Sequence, residues 1–85
     1  MEKGFNSDIQ VKGVQYHVQT EDWGPIKPFI VSQVFCSGAI VKSIKITYEE
    51  VLKEGPRSDA RAVRLALRQQ HQEILDLLIS GQLLR

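Results

Sequence analysis

Residues 14–21, VQYHVQTE, indicate the fold class of this chain because their polarity alternates at every position. Valine, tyrosine, valine and threonine occupy the even positions, whereas glutamine, histidine, glutamine and glutamate occupy the odd positions. Successive side chains of a β-strand point to opposite faces of a sheet. This period of two therefore predicts an antiparallel strand with one packed face and one wet face.

Apolar residues on both sides of this stretch predict three further strands. Residues 9–11 form a short strand, and the Lys-Gly pair at 12–13 is typical of a tight hairpin turn. Residues 29–36 and 39–48 are rich in β-branched and aromatic side chains, and the Ser-Gly pair at 37–38 separates them. They predict a second hairpin, both faces of which carry apolar groups.

The second half of the chain changes to a helical period. A glycine and a proline at 55–56 interrupt the chain after a short helical turn at 49–53. Ser58 is then a favourable N-cap, and Gly81 is the expected stop, which gives a helix of about 22 residues and ~33 Å. One apolar stripe runs along this helix and comprises Ala60, Val63, Ala66, Leu67, Ile74, Leu77 and Leu78.

Together these periods predict an α+β fold with the element order ββββα. We expect a four-stranded antiparallel sheet of two hairpins, with one long C-terminal helix packed on one face. With 85 residues, the chain is expected to form a single domain, residues 1–85. A domain of this size buries only about 60% of its unfolded surface, so oligomers commonly use its spare apolar surface.

The composition is that of an ordinary soluble protein, with 42% hydrophobic and 25% charged residues. A net charge of +1 provides no strong general attraction to nucleic acid or anionic membranes. Cys36 is the only cysteine, which excludes an intramolecular disulfide and favours a reducing compartment. Without a signal-peptide pattern or a run of ~20 apolar residues, we expect a cytoplasmic protein with no membrane span.

Residues 17–25, HVQTEDWGP, contain the side chains most typical of a metal or acid–base site. His17 and Glu21 share one face of the predicted strand but lie ~13 Å apart along it, too far to bind one ion. Glu21 and Asp22 point to opposite faces, and residues 29–48 contain no His, Asp or Glu. We therefore expect a solvated strand face without a metal ion, ended by a turn in which Trp23 covers the core.

Nucleophilic catalysis is not indicated either. Cys36 ends an apolar run beside a hairpin turn, which is typical of a small hydrophobic residue rather than of a reactive thiolate. No local pattern brings His17 or His71 within its reach, and no glycine-rich phosphate loop is present. The chain is therefore expected to be no enzyme, with no catalytic residue and no cofactor.

One flank of the predicted helix carries groups that the sheet does not need. Three arginines lie within about 60° of one another on the helical wheel: Arg61, Arg64 and Arg68. Further along, the flank becomes apolar at Leu75 and Ile79, with Leu65 nearby. These residues predict a homodimer or a protein partner. Alternatively, the C-terminal residues 81–85 fold back over Leu75 and Ile79.

Two polar residues fall where the helix is expected to face the sheet. Gln70 lies within the apolar stripe and His71 lies at its edge. Because a buried glutamine needs hydrogen-bond partners, we expect this pair to lock the helix to a strand or a loop. A ligand-binding role is the alternative.

The segments YHVQTEDWG, residues 16–24, and QQHQEILDLL, residues 69–78, resemble a family of short uncharacterised bacterial proteins. Its members carry an aromatic-His-Val-Gln-Thr-Glu-Asp segment and a Gln-His pair in a C-terminal helix. The resemblance covers most of the chain and implies no activity, but it raises the alternative that the polar strand face is an interaction surface. The matching positions are His17, Val18, Gln19, Thr20, Glu21, Asp22, Gln70 and His71.

The sequence thus predicts a small cytoplasmic protein-interaction module that is non-catalytic and homodimeric. Its contact surface is expected at the 29–48 hairpin or at the helix flank of Leu75 and Ile79. The alternative is a nucleic-acid-binding protein in which Arg57 and the three flank arginines contact phosphates. The small net charge and the lack of exposed aromatic residues on the strands disfavour that alternative.

Overall fold

The structure, a computed structural model, describes residues 4–23, 29–47 and 60–84. These residues form one sheet with the strand order β1-β2-β3-β4, in which every neighbouring pair is antiparallel, and one helix. The predicted ββββα fold is therefore confirmed. The elements are β1 (Phe5–Val11), β2 (Val14–Asp22), β3 (Phe29–Cys36), β4 (Ala39–Thr47) and α1 (Ala60–Ile79).

Both predicted hairpin turns are present. Lys12 and Gly13 have φ angles of 52° and 83°, and Ser37 and Gly38 have φ angles of 54° and 82°. Two consecutive residues with positive φ define the type I′ turn, whose twist matches that of the flanking strands. The predicted N-cap at Ser58 and the helical turn at 49–53 lie outside the described residues.

The sheet has two chemically different faces. The packed face, which contacts α1, includes Val18 and Val34, which are directly opposite each other in neighbouring strands and fully buried. The open face is the other side and includes Asp8, His17 and Phe35. The alternation of residues 14–21 therefore distinguishes the faces as predicted.

The core between sheet and helix consists of two apolar clusters. One cluster lies towards the C-terminal end of α1 and the other towards its N-terminal end. Burying each aliphatic side chain contributes roughly 1.5–3 kcal/mol, so these contacts hold α1 on the sheet. Their buried members are Val18, Val34, Ile74 and Leu78 in the first cluster, and Ile30, Val63, Ala66 and Leu67 in the second.

Gly81 ends the helix as predicted. Its φ angle is +81°, its amide donates to the Leu78 carbonyl at 3.2 Å, and the Gln82 amide donates to the Leu77 carbonyl at 3.0 Å. This pair of bonds is the Schellman motif, which satisfies carbonyls that the last turn leaves without partners. The chain then turns back, and Leu83 packs against the first apolar cluster.

Candidate functional site

An Asp–His pair lies on the open face, across the β1–β2 hairpin. Asp8 and His17 are directly opposite each other in the ladder, and Asp8 Oδ1 lies 2.8 Å from His17 Nδ1. A carboxylate accepts hydrogen bonds, so His17 Nδ1 carries the proton, and Nε2 of the neutral ring is an acceptor. The pair joins two residues that the sequence analysis did not connect.

The signal for this pair is present in the sequence. The two-residue turn at 12–13 sets Val11 opposite Val14. Counting back along both strands from this pair, the residue numbers of each pair add up to 25, so Asp8 lies opposite His17. Residues 29–48 contain no His, Asp or Glu, and the partner of His17 comes from β1 instead. The expectation of an idle strand face at His17 was incomplete for that reason.

The pair borders a cavity of about 320 Å³ on the open face. Phe35 forms one wall, with its ring centroid 6.1 Å from that of His17 and the ring planes inclined at 51°. Polar lining comes from Gln15 and Gln19 of β2 and from Ser37 of the β3–β4 turn. The cavity thus combines one carboxylate, neutral polar groups and an aromatic surface.

The described residues contain no group of three or more His, Cys, Asp and Glu side chains that could hold a metal ion. Asp8 and His17 provide two such groups, fewer than a closed metal site needs. Cys36, the single thiol, is half-buried and free. The lack of metal binding and of catalysis stays a prediction.

A second group of polar side chains is buried between the two apolar clusters. We call it the polar cluster, and it consists of Ser7, Thr20, Ser32, Gln70 and His71. The Thr20 hydroxyl lies 2.7 Å from Ser32 Oγ and 2.8 Å from His71 Nδ1. Ser7 Oγ lies 2.8 Å from His71 Nε2, and Gln70 Nε2 donates to Ser32 Oγ at 2.9 Å.

These bonds connect α1 to three strands, which confirms the predicted lock between helix and sheet. Hydroxyl groups suit this position because each can both donate and accept a hydrogen bond. Within the described ranges, Gln70 Oε1 is buried and has no hydrogen-bond partner. Burial in this cluster lowers the pKa of His71, and the nearby His17 lowers it further.

The flank of α1 carries the arginine group and the apolar group that the sequence predicted, and the two groups differ in how far they match the prediction. Arg61, Arg64 and Arg68 line one cavity of about 380 Å³ together with Leu65 and Phe5. The Arg64 guanidinium lies over the Phe5 ring, 5.5 Å from its centroid. The expectation that the three arginines share one flank is confirmed.

The apolar part of the flank differs from the prediction. Leu75 is half-buried and packs against the first apolar cluster, so the prediction that it lies outside the core is wrong. Leu83 packs against the same cluster, so the C-terminal segment turns back towards the sheet, whereas the alternative placed it over Leu75 and Ile79. Leu65 and Ile79 remain 53% and 55% exposed.

The motif positions of β2 divide between the faces of the sheet. Thr20 belongs to the polar cluster, whereas His17, Gln19 and Glu21 alternate with it on the open face. Asp22, opposite Ile30 at the end of the strand, is half-buried. The motif residues of β2 therefore contribute both to the core and to the open face, whereas Gln70 and His71 contribute to the core alone.

Aromatic side chains near the end of β2 lie beside a lysine of β4. Trp23 is 38% exposed, and the Lys45 amine lies 5.8 Å from its ring centroid. The same amine lies 4.9 Å from the Phe29 ring centroid. Phe29 and Phe35, the aromatic residues of β3, are both half-buried. That Trp23 covers the core stays a prediction.

Comparison of the chain with family models, with curated proteins and with solved structures finds no match. In the part of the chain that the structure describes, no helix is long and apolar enough to cross a membrane.

Proposed function

We propose that this protein is a small non-catalytic interaction module of the cytoplasm that forms a homodimer through the outward side of α1. The observation that carries the proposal is the pair Leu65 and Ile79, each more than half exposed. They lie four helical turns apart, about 40° from each other on the helical wheel and ~21 Å apart along the axis. The lone free thiol of Cys36 suits a reducing compartment.

The outward side of α1 is self-complementary. Leu65, Arg68, Gln72, Asp76 and Ile79 fall within about 80° of the helical wheel and are spaced by three, four, four and three residues. A two-fold axis at Gln72 would set Leu65 opposite Ile79 of a second, antiparallel copy. It would also set Arg68 opposite Asp76 of that copy, which is the reciprocal pattern of an isologous interface.

Both kinds of contact would favour such a dimer. Two leucines and two isoleucines would leave water, each contributing at most roughly 1.5–3 kcal/mol. The two Arg68–Asp76 pairs, at the edge of the contact, would set orientation more than affinity. Gln72 already donates to Asp76 Oδ1 at 3.0 Å, which restricts the carboxylate before a partner arrives.

A charge exchange tests this geometry directly. Arg68→Glu and Asp76→Arg would each place like charges together twice per homodimer, so each variant alone should dimerise more weakly, by about tenfold. A mixture of the two variants should form a heterodimer, because both cross-pairs then join opposite charges. Analytical ultracentrifugation of the separate and mixed variants measures this, and no gain on mixing contradicts the antiparallel pairing.

An apolar substitution tests whether the same surface supplies the affinity. Leu65→Asp should give a monomer with an unchanged circular dichroism spectrum, since the leucine is exposed. Ile40→Asp is the matched control because Ile40, on β4, is also 53% exposed. A wild-type protein that is monomeric at high concentration, or an Ile40→Asp variant that dissociates as readily, contradicts the proposal.

Nucleic-acid binding remains the second candidate, favoured by the three arginines that line one cavity beside Leu65. Contacts with phosphates release counterions, so such binding must weaken steeply as salt rises. Titration of a fluorescent single-stranded oligonucleotide at two salt concentrations separates the candidates. Binding that Arg68→Ala weakens and the uncharged variant Leu65→Ala does not would favour nucleic acid over the dimer.

A further inference from the structure

The side chains that line the cavity beside Asp8 and His17 favour a cation over an anion. Among the described residues, the cavity's only charged side chain besides the titratable ring is the Asp8 carboxylate, and none of the lysines or arginines in that part of the chain lines it. The carboxylate holds the His17 Nδ1 proton, so Nε2 of the neutral ring offers a lone pair. Phe35 also lines the cavity, and the face of an aromatic ring is the negative part of its quadrupole.

We infer that this cavity is a binding site for an organic ammonium group. An ammonium ion would donate to the Asp8 carboxylate, and it would be attracted by the Phe35 ring. The amides of Gln15 and Gln19 provide further oxygen acceptors at the border of the cavity. The volume of about 320 Å³ is at the lower end of small-molecule sites, which suits an amine of about ten heavy atoms.

The same groups exclude two other ligand classes. An anion would meet the Asp8 carboxylate and would find no lysine or arginine among the described residues of the lining. Within the described part of the chain, a metal ion would find only Asp8 and His17, fewer ligands than a closed metal site needs. The site lies on the open face, whereas the dimer surface is the outward side of α1, so the two proposals are independent.

Titration with benzylamine tests the inference. At pH 8, this ammonium probe should shift the imidazole signal of His17 and the ring signals of Phe35 in NMR spectra, in a saturable manner. Benzyl alcohol has nearly the same shape without the charge and should bind at least about fivefold more weakly. Equal affinities of the two probes would overturn the inference, as would the absence of a saturable shift with benzylamine.

Two carboxylate variants localise the effect. Asp8→Asn keeps an oxygen acceptor for His17 and should weaken benzylamine binding by about threefold to tenfold. Glu21→Gln removes the same charge from the same open face but outside the cavity lining, and should leave the affinity unchanged. Equal losses in both variants would show general electrostatic attraction and overturn the site.

A third probe distinguishes the natural sources of such a group. N-acetyl-lysine amide carries its only ammonium group on the side chain, as a lysine of a partner protein does. Saturable shifts of His17 with this probe support a lysine side chain as the ligand. Shifts with benzylamine alone support a free small amine, and both results sustain the ammonium site.

Discussion

His71 is a titratable side chain in the interior, 6% exposed, with both ring nitrogens within hydrogen-bond distance of hydroxyl groups. Hydroxyls allow a neutral ring to donate with one nitrogen and accept with the other. Desolvation lowers the pKa of His71, with a further contribution from His17. The folded protein therefore holds this ring neutral at pH values where the unfolded chain has already bound a proton.

Because the folded and unfolded states bind protons at His71 differently, the free energy of unfolding depends on pH. Above the unfolded pKa of about 6.5, both states are neutral at this position and His71 contributes no slope. As the pH falls below about 6.5, the unfolded state binds the additional proton, and the free energy of unfolding should fall by up to about 1.4 kcal/mol per pH unit. Urea denaturation between pH 7.5 and pH 5 measures this loss.

A variant that cannot titrate separates His71 from the carboxylates and from His17. His71→Gln keeps a donor and an acceptor but has no proton to gain in this range. Between pH 6.5 and pH 5, the free energy of unfolding of this variant should therefore fall less steeply than that of the wild type, by up to about 1.4 kcal/mol per pH unit. An unchanged slope in that variant would mean that His71 is not the group responsible.

Gln70 and His71 show how much the sequence indicates about individual side chains. The buried positions of Gln70 and His71 followed from the helical period, and the need of Gln70 for a partner followed from its burial. The partners themselves, Ser32 on β3 and Thr20 on β2, depend on where α1 crosses the sheet. No local sequence pattern indicates where α1 crosses the sheet.

At the scale of elements, the end of α1 depends on one backbone conformation. Gly81 has a φ angle of +81°, which costs a residue with a Cβ roughly 1 kcal/mol. Gly81→Ala should therefore lower the free energy of unfolding by about 1 kcal/mol in urea denaturation. Gln82→Ala, at the next exposed position, should change it by less than about 0.5 kcal/mol, and equal losses would show that the φ angle is not the cause.

The first strand shows why element boundaries were harder to predict than element types. β1 begins at Phe5, whereas the sequence analysis expected a strand only at residues 9–11. Ser7 is the reason, because it lies on the packed face where an apolar residue was expected and thereby obscures the alternation. It is there because the polar cluster needs a hydroxyl beside His71 Nε2.

At the scale of the whole molecule, two leucines of α1 separate folding from assembly. Leu67 is fully buried in the second apolar cluster, whereas Leu65 is 53% exposed. Leu67→Ala should lower the free energy of unfolding by about 2–5 kcal/mol, because it removes buried methyl groups and leaves a cavity. Leu65→Ala should cost the monomer less than about 0.5 kcal/mol.

The same pair then serves as a test of assembly. Leu65→Ala should weaken the proposed dimer, whereas a folded fraction of Leu67→Ala should dimerise normally. Sedimentation velocity at several concentrations, combined with urea denaturation at one concentration, provides both quantities. Loss of stability in both variants alike would mean that Leu65 belongs to the core.

The sequence by itself determined the secondary structure types, the two hairpins, the faces of β2 and the stop at Gly81. Each depends on groups within a few residues of one another: alternation, a two-residue turn or a glycine with positive φ. Even the Asp8–His17 pair belongs here, since the turn at 12–13 alone sets its register.

The tertiary structure alone decided which polar groups meet across layers and which apolar groups stay exposed. Thr20 and His71 are 51 residues apart in sequence, and their contact depends on the position of α1 on the sheet. That position is set by the summed burial of two apolar clusters, a property of the assembled surfaces. The same packing buries part of Leu75 and leaves Leu65 and Ile79 in water, because burial depends on the neighbours that the fold brings near.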